Sequence, residues 1–202
     1  MADFNKYYPF LASSEGGLSA DPNDKSAAAY PSHYVMTTGK WKGYKVHTNR
    51  GVTYRTFIAN AKAVGLKPDT PTFINLSYEQ AKKFYKVLFW DDVYGDLIKS
   101  QGVAEILAEA GVGSVLGLKR MIKDLQLGLK QLSVQVNYTG KIDKQTLTAL
   151  NSINSTTEQN LIKYLTQARL NFLKSLKVWN TYATTWSRRV ASTYDRASSY
   201  VA

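Results

Sequence analysis

Cysteine is absent from this 202-residue chain, and histidine occurs only twice, as His33 and His47. Without thiols the chain has neither a disulfide framework nor a thiolate metal site. The two histidines lie too far apart for a zinc motif of the HExxH type, and no GxSxG element indicates a serine-histidine hydrolase. The sequence therefore predicts chemistry by oxygen and nitrogen groups, with no metal and no organic cofactor.

Long hydrophobic runs are also missing. No segment approaches the roughly 20 apolar residues that a membrane span requires. The first residues lack the basic stretch and apolar run of a signal peptide. We therefore expect no membrane span and synthesis in the cytoplasm. If the substrate lies in the cell wall or periplasm, the protein would reach it through a holin, a dedicated secretion route or cell lysis.

Acidic residues are scarce: 15 Asp and Glu stand against 26 Lys and Arg, which gives a formal net charge of +11. Such a charge favours polyanions, whether nucleic acid, anionic lipid or a cell wall that carries phosphate and carboxylate. The basic residues form no run, and no zinc finger, RNA-recognition signature or basic zipper is present. We therefore expect no specific nucleic-acid partner. The lack of a coiled-coil heptad favours a monomer.

What the sequence does contain is helical periodicity in a chain that is 44% hydrophobic, a composition typical of globular proteins. Asp3 can cap a first helix that runs through Leu11 and ends at Gly16-Gly17. Ser77 and Gln80 form a capping box before an apolar stripe that extends to Phe89. From Leu18 to about Asp69 the helical period disappears, which indicates loops with a small irregular β element.

The second half of the chain predicts more helices and a frayed end at Ser198–Ala202. They are a helix over Val103–Ala110 that breaks at Gly111 and Gly113, one over Val115–Leu129, a short one over Ile142–Leu150, a long one opened by a Ser155/Glu158 capping box, and one over Trp179–Ser198. The predicted fold class is mainly α: a helical bundle lobe with a small irregular β and loop region that forms a cleft.

Three polar elements suit the hydrolysis of a glycosidic bond, which usually needs two carboxylates across a cleft. They are Glu15-Gly16-Gly17, then Asp21-Pro22-Asn23-Asp24, and then Thr48-Asn49-Arg50-Gly51-Val52-Thr53. Other interpretations stay open: a helix-terminal Glu15 paired with a cation, Asp residues that only build turns, and a Thr48 that closes a strand.

Candidates for contact with a sugar substrate lie in the middle of the chain. Trp41 and Tyr44 stand in a polar, glycine-flanked segment, where aromatic rings can stack on sugars. His47 and Asn49 flank Thr48 and are further candidates. For His47 we favour a structural hydrogen-bonding role over that of a catalytic base.

The three polar elements, together with Phe89-Trp90-Asp91 after the helix start at Leu76-Ser77, resemble the peptidoglycan muramidases of glycoside hydrolase family 108. Some members of that family are labelled secretion activator proteins. The resemblance covers residues 1–111, which we expect to be a lysozyme-like catalytic region. Residues 112–202 are similar to a helical peptidoglycan-binding region that accompanies the family, and we expect the two to pack as one unit. There Thr139 replaces the family's Asp, and Asp143 replaces its Gly.

The resemblance implies hydrolysis of the β-1,4 bond between N-acetylmuramic acid and N-acetylglucosamine in bacterial peptidoglycan. Glu15 would be the general acid, with a pKa raised by burial against Tyr8 or Trp90. Either Asp24 or Asp21 would be the second carboxylate. By analogy with phage-type lysozymes, Thr48 would hold the attacking water. The family's Gly-Gly pair after Asp24 is replaced by Lys25–Ala29, which predicts a rearranged loop. The alternative is a non-catalytic peptidoglycan-binding or secretion-accessory protein.

Overall fold

The computed structural model describes residues 1–112 and 115–201. The chain divides into two compact units. The N-terminal unit is Asn5–Leu88, and the C-terminal unit is formed by Met1–Phe4 and Phe89–Ala202. In the described residues, no helix is long and apolar enough to cross a membrane. Within those residues, no three His, Asp or Glu side chains cluster as a metal site would require.

The N-terminal unit is built from short helices and one hairpin. Its elements are α1 (Phe4–Ser13), α2 (Lys25–Ala28), β1 (Thr48–Asn49), β2 (Val52–Thr53), α3 (Tyr54–Asn60), a 3-10 turn (Ala61–Val64), α4 (Thr70–Ile74) and α5 (Tyr78–Tyr85). The two strands are antiparallel, with Thr48 opposite Thr53 and Asn49 opposite Val52. The small irregular β element predicted from the sequence is therefore confirmed.

An aromatic core joins the helices of this unit. Phe57 of α3 packs against Phe73 of α4 and Phe84 of α5, with ring centroids 5.3 and 5.6 Å apart. All three side chains are buried. Complete burial of a Phe side chain contributes about 1.5–3 kcal/mol relative to exposure. This core holds together α4, α5 and α3, the helix that directly follows the hairpin.

Helix α3 lies in the stretch where the sequence predicts only loops and β structure, so that prediction is wrong for Tyr54–Asn60. The Thr53 hydroxyl accepts a hydrogen bond from the backbone N–H of Thr56 and caps the helix. Phe57 and Ala61, one turn apart, are its buried positions. The helix is too short to show a periodic stripe, and its stability comes from tertiary packing.

Helix α5 starts as predicted, because Ser77 and Gln80 form a reciprocal capping box in which each side chain accepts a hydrogen bond from the backbone N–H of the other residue. Its regular part ends at Tyr85, and Lys86–Trp90 continue as a π-helical turn. Trp90 is buried in the C-terminal unit, where its ring lies 5.5 Å from Phe4 and its indole N–H donates to Asp96 Oδ1 at 2.7 Å.

The C-terminal unit is a helical bundle. Its helices are α6 (Gln101–Gly111), α7 (Val115–Gln131), α8 (Lys144–Asn151), α9 (Ser155–Lys174) and α10 (Trp179–Ser199). Every residue of α6 from Gly102 to Gly111 is buried, because α7, α9 and α10 all pack against this helix. A helix that is buried all round is the centre of a bundle.

Glu105 of α6 is buried in the bundle and is neutralised by α10. Its carboxylate accepts hydrogen bonds from Arg196 Nε at 2.7 Å and from the Tyr200 hydroxyl at 3.0 Å. A second pair joins Glu109 to Arg189. The predicted fraying of Ser198–Ala202 is wrong for Ser198–Tyr200, since α10 continues to Ser199 and Tyr200 is anchored on Glu105. Ala202 lies outside the described residues.

Helix α9 is capped one residue earlier than predicted. The side chain of Asn154, rather than that of Ser155, accepts from the backbone N–H of Thr157 at 2.8 Å. Glu158 does not turn back to the cap, and its carboxylate instead accepts from the Ser100 hydroxyl at 2.5 Å. The Ser155/Glu158 capping box is therefore wrong, although the helix it predicts is present.

The two compact units are cut at Leu88 and Phe89, whereas the sequence prediction divides the chain between residues 111 and 112. The compact units are defined by packing, whereas the two sequence regions are defined by motifs. The boundary at residues 111 and 112 therefore stays a prediction. Helix α6 ends at Gly111 as predicted. The predicted break at Gly113 lies outside the described residues.

Candidate active site

Glu15 lies in the turn that follows α1. The backbone N–H of Glu15 still bonds to the carbonyl of Ala12 at 3.2 Å, which fixes the residue to the end of the helix. Its side chain is half-buried. It lines a cavity of about 280 Å³ within the N-terminal unit, together with Tyr8, Pro9, Ala12, Ser13, Arg50 and Tyr78. The predicted acid thus faces an accessible space.

The β1–β2 hairpin turns at Arg50 and Gly51, whose φ angles are +49° and +73°. Two-residue hairpin turns of type I′ need positive φ at both central positions, because this twist matches that of the strands. The Asn-x-Gly-Val part of the sequence motif therefore forms a two-residue hairpin turn. It brings the backbone of Gly51 to the end of α1.

Gly51 is surrounded by functional groups. A methyl group added at its α-carbon would overlap both the carboxyl group of Glu15 and the hydroxyl of Tyr85. The Tyr85 hydroxyl donates a hydrogen bond to the carbonyl of Arg50 at 3.1 Å. The Glu15 carboxyl group, the turn and the end of α5 therefore meet at one point, and only glycine fits there.

Tyr8 forms the aromatic wall beside Glu15. Its ring is buried and lies 4.8 Å from that of Tyr78, and its hydroxyl donates to the Tyr78 carbonyl at 3.2 Å. Burial is the main cause that raises the pKa of the Tyr8 phenol, and the charge of Glu15 adds to it, while Arg50 opposes it. Tyr8 is therefore a neutral, apolar neighbour of the carboxyl group at any ordinary pH.

Thr48 lies at the base of the hairpin and is tied to the segment that follows Glu15. The Ser19 N–H donates to the Thr48 carbonyl at 2.8 Å, and the His47 N–H donates to the Ser19 carbonyl at 3.0 Å. The Thr48 hydroxyl itself lies 2.9 Å from His47 Nδ1. Backbone hydrogen bonds thus join the third polar element to the segment that follows the first.

His47 is buried, and its ring bridges two elements of the site. Its Nε2 lies 3.1 Å from the Asp21 carbonyl, opposite the contact of Nδ1 with Thr48. Both ring nitrogens are thus engaged in fixing the loop. This geometry supports the structural role that the sequence analysis favours, and it gives the imidazole no open approach to a substrate.

Asp21 and Asp24 both stabilise turns, which is one of the interpretations that the sequence leaves open. Asp21 Oδ1 accepts from the backbone N–H and the side-chain amide of Asn23. These bonds, first the backbone one, lower the pKa of Asp21 below its usual value. Asp24 caps α2 by accepting from the N–H of Ala27 at 3.2 Å. Both carboxylates are solvent-accessible, and each has an oxygen that these bonds leave available.

Helix α2 occupies the position where the sequence analysis predicts a rearranged loop. Lys25–Ala28 form its single turn, in which Ala27 is buried. The Ala29 N–H then closes the turn on the Lys25 carbonyl. The residues that replace the family's Gly-Gly pair are therefore an ordered turn that begins directly at Asp24.

Trp41 and Tyr44 lie at the end of an irregular ribbon. The Met36 N–H donates a hydrogen bond to the Tyr44 carbonyl, and Val35 and Lys45 form an isolated antiparallel β-bridge. Tyr44 is 50% exposed. The Lys40 ammonium lies 5.3 Å from the centre of the Trp41 ring, on its face. Tyr44 is therefore open to a sugar ring, while part of the Trp41 surface already carries a cation.

Asn49 differs from the other predicted substrate contacts because it is 4% exposed. Its side-chain amide donates to the carbonyls of Phe73 at 2.7 Å and Ile74 at 3.1 Å, at the end of α4. Both amide hydrogens are used in holding the hairpin against this helix. These bonds give Asn49 a structural role in the hairpin, and its contact with substrate stays a prediction.

A larger cavity, of about 790 Å³, lies in the C-terminal unit between Met1, Tyr94, Leu97 and the residues of α8. The one carboxylate in its lining is that of Asp143. That carboxylate caps α8 by accepting from the Thr146 N–H at 2.8 Å. The smaller cavity remains the candidate site because it contains Glu15.

A buried side chain, that of Gln126, holds the Thr139–Asp143 turn of the predicted wall-binding region. Gln126 is buried, and its Oε1 accepts from the backbone N–H groups of Thr139 and Gly140 at 3.0 and 2.8 Å. Its Nε2 lies 2.9 Å from the carbonyl of Lys141 and 3.0 Å from the Thr146 hydroxyl. Helix α7, which carries Gln126, is thus in direct contact with the turn.

Sequence reasoning misses three residues that line or support the site: Arg50, Tyr78 and Tyr85. Arg50 is the variable position of the Thr-Asn-x-Gly-Val-Thr element, and the two tyrosines belong to a helix predicted only as core. The spacing of α5 provides the one available signal, because Tyr78 and Tyr85 lie seven residues apart and so share a helix face.

Comparison with known proteins identifies a matching family and a similar fold. Residues 8–114 match the model of the family described as glycosyl hydrolase 108. The chain is also similar to the solved structure of Brucella abortus SagA, with a TM-score of 0.69 and 26% sequence identity over 98% of this chain and 95% of that one. No curated protein matches. The likeness confirms the mainly α, lysozyme-like fold class predicted from the sequence.

Proposed function

Because the chain belongs to the glycosyl hydrolase 108 family, we propose that it cleaves the β-1,4 bond between N-acetylmuramic acid and N-acetylglucosamine in bacterial peptidoglycan. Glu15 is the general acid in this proposal. The observation that carries it is the position of the Glu15 carboxyl group, half-buried in an accessible cavity and backed by Gly51.

The proposed role requires Glu15 to hold its proton near the working pH. Two features of the cavity act on this proton in opposite directions: burial beside Tyr8 and Tyr78 favours the neutral carboxyl form, and the Arg50 guanidinium favours the charged form. The proton would pass to the bridging oxygen as the bond to the anomeric carbon breaks, so that the leaving sugar departs as a neutral alcohol.

The second carboxylate is Asp24 or Asp21, which must be ionised to stabilise the oxocarbenium-like centre or to activate water. The lowered pKa of Asp21 favours its ionised state, and both side chains are accessible to solvent. Thr48 would orient the water through its hydroxyl, which His47 holds in place. Tyr44 and Trp41 would stack on sugar rings of the strand.

The test is the clearance of purified sacculi by the wild type and by Glu15→Gln, with mass spectrometry of released muropeptides. Glu79→Gln is the matched control, since Glu79 belongs to the same unit and its side chain is 72% exposed. We expect reducing muramic-acid ends from the wild type and from Glu79→Gln, and a loss of at least about 100-fold in Glu15→Gln.

The same experiment distinguishes the proposed hydrolase from the alternative, a non-catalytic peptidoglycan-binding or secretion-accessory protein. Folded wild type that pellets with sacculi but releases nothing would support that alternative and reject turnover. Release of fragments with reducing glucosamine ends would instead reject the proposed bond while keeping a glycosidase. Equal activity in the wild type and in Glu15→Gln would remove Glu15 from the mechanism.

A further inference from the structure

Arg50 adopts a backbone conformation that its residue type seldom takes. Its φ of +49° lies in the left-handed region, and the first central position of such hairpin turns favours Asn, Asp or Gly. A strained non-glycine residue beside a candidate active site leads to a hypothesis of function. The turn itself needs no arginine, so the reason must be sought in the side chain.

The guanidinium group of Arg50 is anchored at one end and open at the other. Its Nε donates to the carbonyl of Leu76 at 2.8 Å, which fixes the plane of the group. In the part of the chain that the structure describes, its two Nη nitrogens make no hydrogen bond and no ion pair. Arg50 also lines the cavity that contains Glu15.

Two charges therefore share this cavity. Arg50 and Glu15 act in opposite directions on the same phenol, that of Tyr8, so both lie within electrostatic range of its hydroxyl. Glu15 must be uncharged to donate its proton, and in that state the cavity keeps one uncompensated cation. Such a pocket attracts an anionic group placed next to the bond to be cut.

We propose that Arg50 binds a carboxylate on the muramic-acid side of the strand and so selects peptidoglycan over neutral glycans. This rests on the proposed function. A fixed guanidinium with open N–H groups matches a carboxylate in a bidentate manner. Muramic acid carries a lactyl group, which is a free carboxylate in a strand without peptides. In a peptide-bearing strand the stem supplies carboxylates instead, whereas N-acetylglucosamine polymers carry neither.

The experiment measures binding, so that it does not depend on turnover. Calorimetry in a Glu15→Gln background compares four ligands: denuded glycan strands, the same strands with their carboxyl groups reduced to alcohols, peptide-bearing strands, and chitotetraose. Arg50→Asn removes the charge with a residue that tolerates the left-handed region. Lys62→Asn is the control, because it removes one exposed charge of the same unit outside the cavity.

We expect at least one carboxylate-bearing strand to bind about 10-fold more tightly than the reduced strand and chitotetraose, a typical gain for charge-assisted hydrogen bonds. Arg50→Asn should abolish this preference, while Lys62→Asn keeps it. The denuded and peptide-bearing arms identify which carboxylate is bound.

Three outcomes would overturn the proposal: equal affinity for charged and reduced strands, a preference that survives Arg50→Asn, or no binding to any strand by folded protein. Failure of the proposed function appears elsewhere, as unchanged sacculus clearance in Glu15→Gln. The two failures are therefore distinguishable.

Discussion

The α-carbon of Gly51 lies directly against the carboxyl group of Glu15, so the hairpin turn sets the position of the candidate acid. We expect Gly51→Ala to lower sacculus clearance by about 100-fold, since displacement of a catalytic group by about 1 Å can have an effect of that size. Gly65→Ala is the matched control: Gly65 has a φ of +77° and open space around it. Both variants should lose stability from backbone strain, but only Gly51→Ala should lose activity beyond its folded fraction. Equal activity of the two would contradict the steric argument.

The identity of the second carboxylate can be read from Asp21→Asn and Asp24→Asn. Asparagine keeps the turn at Asp21 and the cap at Asp24, because it accepts the same backbone hydrogen bonds. Activity changes will therefore report the loss of charge rather than of structure. We expect one variant to lose at least about 100-fold in kcat and the other to stay near the wild type. Steady-state kinetics on soluble glycan strands is the measurement, and two near-normal variants would exclude both residues.

Burial of Glu105 makes Arg196 a stabilising residue of the bundle. Arg196→Met leaves a fully buried carboxylate without its cation, and we expect the free energy of unfolding to fall by about 3 kcal/mol. The additional change Glu105→Gln should recover part of this loss. Arg188→Met, at an exposed position of the same helix, should change stability by less than about 0.5 kcal/mol. Urea unfolding measures all three, and a small effect of Arg196→Met alone would argue against a buried charge.

The Asp143 cap predicts an acid-dependent contribution to stability. The Thr146 backbone N–H, then the Thr146 and Thr139 hydroxyls, lower the pKa of Asp143 below its ordinary 3.8. A lowered folded-state pKa stabilises the protein above the unfolded-state pKa, and the contribution is lost as the pH falls through the folded value. The Tm difference between wild type and Asp143→Asn should therefore be constant above about pH 5 and shrink below about pH 4. A difference that persists at about pH 2 would contradict this assignment.

Local signals account for the parts of the fold that the sequence predicts well. The Ser77/Gln80 box and the stripe of α5 lie within a few residues of each other, so their meaning does not depend on distant contacts. The cap of α9 was misplaced because Asn154 and Ser155 are both good caps. The sequence alone does not show which of the two is the cap. Glu158 would have to bond back to Ser155 in the predicted box, but it instead accepts from Ser100, 58 residues away.

The sequence points to Glu15 of the candidate site but not to the residues that support it. Glu15 and Thr48 stand in recognisable elements, whereas Tyr85 reaches the carbonyl of Arg50 across 35 residues. Asn49 shows another limit of local patterns: its place beside Thr48 indicates a substrate contact, whereas its amide donates hydrogen bonds to two carbonyls at the end of α4. Long-range packing decides such roles, and no local pattern encodes it.

Gln126 holds the Thr139–Asp143 turn by hydrogen bonds made from the interior. The backbone path of the turn is therefore specified without the exposed side chain of Lys141. Such a loop has evolutionary latitude: its solvent-facing residues can be exchanged while the scaffold keeps its shape. The same property makes this turn a place to graft new recognition sequences, provided that Gln126, Gly140 and Thr146 are kept.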